Sequence, residues 1–231
     1  MRNPLIIMAF LIVSACNVTK IVKYPKQDDE IIINANLKKI FKENKSPAIV
    51  LRVPNNSDKV TSQSVNSKDI TILYNSIEKE FLKSGFVVRD RGLFNELVNK
   101  STSNDYSKLK ELTETDLILE VVNIETSVLY TTNKVTERKK SGVEETIIMP
   151  TSYLGYGASI EFKVVIVKNN EIAGNYKFNY NPCPDDGCLI STYKRKGKSK
   201  EFELIETITT NSLEIFIRKC AQDLVKSFRD N

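Results

Sequence analysis

Residues 5–13 (Leu-Ile-Ile-Met-Ala-Phe-Leu-Ile-Val) form an unbroken apolar run. With Ser14, Ala15 and Cys16 behind it, the run decides which part of this chain is available to fold. Met1-Arg2-Asn3 ahead of it is short and positive, and the order positive, apolar, small is the layout of a secretory signal. A helix needs roughly 20 apolar residues to cross the hydrocarbon core, so this run is too short for a permanent anchor. Setting residues 1–15 aside as a signal leaves about 216 residues, enough for one good-sized core and too few to demand two.

Val13-Ser14-Ala15-Cys16 resembles the lipobox of bacterial lipoprotein precursors. That resemblance implies that the Cys16 thiol receives a diacylglycerol, that a peptidase cuts just before it, and that Cys16 becomes the lipid-bearing first residue. Small side chains at Ser14 and Ala15 let a protease approach the backbone, and only a thiol forms the thioether. The plainer alternative is an ordinary signal cleaved after Ala15, leaving a free cysteine. One acyl chain gives marginal, reversible membrane binding, whereas two or three hold a protein stably. Asn17 stands where an Asp would retain many lipoproteins in the inner membrane, which favours the outer membrane, with the domain facing the periplasm.

Export places the rest of the chain where disulfides persist. The chain has no histidine, which removes Ser-His-Asp and Cys-His catalysis, His-ligated zinc and His pH switches together. Carboxylate and Ser-Lys chemistry remain open. A net charge of +5 is too mild to indicate nucleic acid as a partner.

Residues 17–45 read as a tether: polar, with Pro25, the acidic run Asp28-Asp29-Glu30 and a short amphipathic stretch carrying Leu37, Ile40 and Phe41. From Ser46 to Asn231 the pattern is that of a single packed domain. Ala48-Ile49-Val50-Leu51-Arg52-Val53, stopped by Pro54, predicts a buried strand. Ile70, Leu73, Tyr74, Ile77 and Phe81 recur at helical spacing between a capping Ser67 and a terminating Gly85. Phe86-Val87-Val88 predicts a short strand, and Leu93, Phe94, Leu97 and Val98 a second helix.

Residues 117–124 are apolar and β-rich enough for a central strand. Ile160, Phe162, Val164 and Ile166 alternate, Asn169-Asn170 suits a hairpin turn, and Tyr176, Phe178 and Tyr180 line one face of the return. A further strand is expected over residues 202–208. A closing helix capped by Asn211 or Ser212 would bury Leu213, Phe216, Ile217, Cys220, Leu224, Val225 and Phe228. The sum is an α/β (α+β) sandwich, a mixed sheet with helices packed mainly on one face.

Cys183-Pro184-Asp185-Asp186-Gly187-Cys188 is the sharpest local motif in this domain. Pro-Asp-Asp-Gly supplies what a tight turn needs, with Gly where φ is positive, so the cysteines should face each other as a structural disulfide. A redox or metal role is the alternative, but Cys-x4-Cys lacks the usual spacing and a second ligand pair. Cys220, on the apolar stripe, is expected to be a buried thiol. Two basic clusters, Arg138-Lys139-Lys140 and Lys194-Arg195-Lys196 with Lys198 and Lys200, adjoin glycines. Solvated hairpin tips are the plain reading, and contact with anionic lipid, glycan or an acidic partner the functional one.

Weaker matches fail on inspection. Ser76 and Lys79 have Ser-x-x-Lys spacing, but so do Ser191 and Lys194, and no Lys-Thr-Gly follows. Gly155-Tyr156-Gly157 has Ile160 where a phosphate-binding loop needs Gly. Glu144-Glu145 and Asp185-Asp186 suit solvated turns. No catalytic residue, cofactor or metal is expected.

A helix ending in Gly85, the strand Phe86-Val87-Val88, Arg91-Gly92-Leu93 opening a helix with Leu97, and an Asp-led hydrophobic strand after Thr113 together resemble the curli-secretion (CsgG-like) lipoproteins. Related domains occur in lipoprotein activators of peptidoglycan synthases. The resemblance spans roughly Ser46 to Asn231, with Arg91 its one distinctive polar match. It implies an anticodon-binding-like α/β domain, an N-terminal lipid and a role in envelope assembly or secretion. Pore-forming members insert long alternating hairpins. Here Arg138-Lys139-Lys140 and Pro150 are expected to interrupt any lipid-facing strand within residues 126–157. A non-enzymatic docking lipoprotein with an envelope protein partner is therefore expected ahead of an oligomeric export channel, and both ahead of an enzyme. The partner's identity and the oligomeric state have no signature in these residues.

Overall fold

The computed structural model describes residues 19–53, 67–100, 106–139, 141–183, 187–189, 192–195, 198–201 and 208–229. The first of these already depart from expectation, because residues 19–43 are not a tether. Strand β1 (Thr19–Val22) and strand β2 (Glu30–Ile33) join the main sheet, and helix α1 (Ala35–Glu43) docks on the core. Asn34 caps α1, its side-chain oxygen accepting from the Leu37 amide at 2.9 Å, and Leu37 is buried. Phe41 stacks on Phe228 with ring centroids 4.7 Å apart. Four-residue strands have too few residues to show a period, so only the pairing partners reveal them.

Strand β3 (Ala48–Arg52) is buried as its apolar run predicts. Helix α2 (Ser67–Lys83) ends in a left-handed Gly85 at φ +80°. The amides of Phe86 and Gly85 reach back to the carbonyls of Phe81 and Leu82, and the Phe81 and Phe86 rings lie 5.0 Å apart. This double hydrogen bond with its apolar clasp is how a glycine stops a helix. Strand β4 (Val87–Val88) follows, and then helix α3 (Arg91–Lys100), where Asp90 accepts from the Leu93 amide at 2.6 Å. Helix α4 spans Ser107–Thr113.

Strands β5 (Leu117–Arg138) and β6 (Glu144–Ile166) form one hairpin, paired from Leu117↔Ile166 to Arg138↔Glu144. At about 3.3 Å per residue it is roughly 70 Å long. The expected interruption at Pro150 does not occur. Between Thr132↔Tyr153 and Lys134↔Ile148 the ladder shifts register, so residues 149–152 face Asn133 alone. Pro150 lies within that bulge, where its missing N–H breaks no ladder bond. Arg138 and Lys139 lie at the end of the hairpin and do not cut it.

Strand β7 (Glu171–Tyr180) returns through a turn in which Asn170 is left-handed. Strand β8 (Cys188–Leu189) adds to β1, while β9 (Thr192–Arg195) and β10 (Lys198–Glu201) make a separate ribbon. The strand expected over 202–208 lies outside the described residues, apart from Ile208, which is in no regular element. Helix α5 (Thr210–Arg229) closes the chain. Its cap is Thr209, not Asn211 or Ser212: the Thr209 hydroxyl accepts from the Ser212 amide at 3.1 Å.

The main sheet runs β2-β7-β6-β5-β1-β8, with β3 beside the base of β5 and β4 beyond β3. Among the described residues only β3, β4 and the base of β5 pair in parallel. Ile49, Leu51, Leu117 and Leu119 point to one face, under α1, α2 and α5, in the main core. Val50, Ile118 and Val165 point to the other, under Phe94 of α3. Mixed sheet, helices mainly on one face: this is the α/β layout the periodicity predicts.

Candidate functional site

The long hairpin outruns its helices. Its outer half has a core of its own, made by Val22, Tyr24, Tyr130, Val135, Tyr153 and Cys188. Gly155 and Gly157 pack against this core. A Cβ on Gly155 would lie 2.7 Å from the Tyr24 ring, and one on Gly157 would meet the Tyr130 ring at the same distance. A disulfide joins Cys183 and Cys188, Cα atoms 5.2 Å apart, and Gly187 takes the positive φ its turn position predicts, at +79°. The bridge therefore ties the chain after β7 to the strand that flanks β1.

The start of β1 lies at the hairpin tip, where Thr19 pairs with Arg138 and Lys20 with Glu137. Cys16 itself lies outside the described residues. Arg138 contacts Glu144 at 2.7 Å, Lys139 contacts Glu145 at 3.5 Å, and Lys20 contacts Glu137 at 3.7 Å. The tip is thus no bare cationic patch, because three carboxylates from the facing strands offset much of its charge. Glu144 and Glu145, read as a turn without partners, are those partners. Of the second cluster, Lys194, Arg195, Lys198 and Lys200 fall on the β9–β10 ribbon, with Lys198 facing Arg195 in register. Lys140 and Lys196 lie outside the described residues.

A second region was not visible beforehand. Between the end of β7 and α5 lies a cleft of about 450 Å³, whose walls include Lys26, Asp29, Asn179, Asn181, Lys219 and Asp223. The segment before β2 is fastened over it. Asn179 donates to the Asp28 carbonyl at 2.8 Å, its amide to Asp29 at 2.8 Å, and Asn181 to the Tyr24 carbonyl at 3.1 Å. The side-chain oxygens of Asn179 and Asn181 are left buried and unpartnered beside the cleft, whose walls also include Phe178, Tyr180, Ile215 and Phe216. Cys220 lines the same cleft but is buried, as expected. Burial, with Asp29 and Asp223 adding to it, pushes its thiol well above the ordinary range, which is the opposite of an activated nucleophile. The cleft unites residues from three distant segments, so no local motif could have shown it.

Arg91, the polar residue singled out by resemblance, sits between α3 and α2. It donates to Asn75 at 3.2 Å, lies 3.7 Å from Glu78 and has its guanidinium over the Tyr74 ring at 5.3 Å. Burial raises the Glu78 carboxyl and Arg91 opposes that shift. These contacts describe a helix-to-helix clamp. Across the sheet, Arg52, Glu120 and Lys163 stand side by side on β3, β5 and β6, with Lys163 2.7 Å from Glu120. Among the described residues no group of acids or thiols is placed to hold a metal ion, and no helix is long and apolar enough to cross a membrane.

No protein-family model and no curated protein sequence matches the chain. Solved structures that are similar include a PelC dodecamer from Paraburkholderia phytofirmans, 9% identical, covering 90% of this chain and 97% of that one, with a TM-score of 0.37. A protein described as a neuraminyllactose-binding hemagglutinin homolog from Helicobacter pylori is 12% identical, with 90% of each chain covered and a TM-score of 0.35. A PDZ domain protein from Parabacteroides distasonis is 10% identical, with a TM-score of 0.33; 92% of this chain matches but only 37% of that one. Similarity at this level does not carry a function from one protein to another.

Proposed function

We propose that the chain is a lipid-anchored protein of the bacterial cell envelope that works by docking, without catalysis, as an accessory component of secretion, envelope assembly or wall-synthesis control. The observation that carries this reading is the apolar run of residues 5–13 delivered directly to Val13-Ser14-Ala15-Cys16. The resemblance of residues 85–124 to curli-secretion lipoproteins points the same way, and Asn17 favours the outer membrane. A thiol held protonated by burial and acids engaged with neighbouring cations suit a docking domain better than an enzyme. Replacing Cys16 (Cys16→Ser) should move the protein from the membrane to the soluble fraction. Retention of the variant in the membrane at unchanged size would defeat the reading.

A second reading, an oligomeric export channel, draws support from the unbroken 22- and 23-residue strands of the hairpin. Against it, Ser127, Thr131, Asn133, Thr146 and Ser152 are exposed on the outer half, where a lipid-facing band needs apolar residues. A large ring on detergent extraction, with conductance in planar bilayers, would reverse this order.

A further inference from the structure

We infer that the β5–β6 hairpin tip is the surface by which this domain sits on the phospholipid headgroups, and that the opposite end of the sheet faces away from the membrane. The inference rests on the lipoprotein reading of Cys16 and goes beyond it, because a lipid on a long tether would set no orientation. Residues 19–43, expected as a tether, belong to the folded domain instead. Strand β1 starts at Thr19, and Thr19 is paired with Arg138 at the hairpin tip.

Three residue steps separate Cys16 from Thr19, a span of at most about 11 Å. Acyl chains seated in the hydrocarbon core leave the Cys16 backbone among the headgroups, so the tip is confined to that layer or just above it. The turn at Asn169–Asn170 lies at the far end of the same two strands, roughly 70 Å along the hairpin. The tip is suited to this contact. Among the described residues Lys20, Lys134, Arg138 and Lys139 outnumber Glu137, Glu144 and Glu145, leaving a net positive end of modest strength. Val143 and Ile148 are exposed beside them, at 55% and 74%. Exposed apolar side chains among cations match a headgroup layer, where the carbon stems sink and the charges meet phosphate.

The test uses the full lipidated chain in vesicles of phosphatidylethanolamine and phosphatidylglycerol that carry a headgroup-attached quencher. Ser141→Cys and Lys168→Cys place a fluorophore at the tip and at the far end, both on exposed residues. Cys220 is 2% exposed and Cys183 and Cys188 are bridged, so the introduced thiol is the one that reacts. Because the linker reaches only about 11 Å, the label at 141 should be quenched about threefold more than the label at 168. Inserting about 20 Gly and Ser residues between Cys16 and Thr19, an average span of about 25 Å, should erase the difference while leaving the protein membrane-bound. Equal quenching of the two labels without the insert, or stronger quenching at 168, overturns the orientation. An intact mass lacking the acyl group overturns the lipoprotein reading itself, which separates the two failures.

Discussion

The two halves of the long hairpin share strands but not their means of support. The base, where Leu117 pairs with Ile166 and Ile124 with Ile160, is sandwiched between helices and buries aliphatic side chains on both faces. The outer half has no helix over it. It is held by three tyrosines, two valines, the four-residue β1 and a disulfide. A core that small cannot hold so long a ladder by burial alone, so a covalent bridge and the N-terminal strand substitute for it. Local stability should differ accordingly, with the outer half opening first.

The largest expected effect probes the base. Leu119 is 1% exposed, and Leu119→Ala should cost about 2–5 kcal/mol, unfolding both halves together in urea. Removing the bridge by Cys183→Ser with Cys188→Ser should cost about 2 kcal/mol. Hydrogen exchange should then quicken at Tyr130, Val135 and Tyr153 while Leu119 and Ile160 stay protected. Equal acceleration at all five would show the two halves to be one cooperative unit and dissolve the comparison.

A smaller effect sharpens the base through its charges. Glu80 is buried on α2, with Lys83 at 2.7 Å and Gln222 of α5 at 2.9 Å, and these hydrogen bonds hold its carboxyl below the ordinary value of 4.5. Glu80→Ala should cost about 1–2 kcal/mol by removing the hydrogen bonds to Lys83 and Gln222. A carboxyl with a lowered folded pKa stabilises fully above its unfolded value and loses that contribution as pH falls through the folded one. The gap between the parent and Glu80→Ala should therefore close in acid, and a gap constant down to pH 3 would remove Glu80 from the account.

Sequence by itself determined what depends on neighbours along the chain. Helices α2, α3 and α5, the buried β3, the turn at Asn169-Asn170 and the Cys183–Cys188 bridge were all legible, because periodicity, capping residues and turn chemistry act over a few positions. Leu37, Ile40 and Phe41 announced a helix too, but not that it belonged to the core. What only the tertiary structure decided involves partners far away in the chain. β1 and β2 are strands because β5 and β7 offer open edges to pair with, and Pro150 is tolerated because the opposite strand permits a bulge. The cations at the tip are offset because β6 returns Glu144 and Glu145 beside them. The cleft exists because the segment before β2 folds over the end of β7 beside the middle of α5. Of the candidate sites, Cys16 is proposed from its flanks alone, but those flanks did not show that a strand starts at Thr19. Four residues that look like tether become a strand only when an edge is there to receive them.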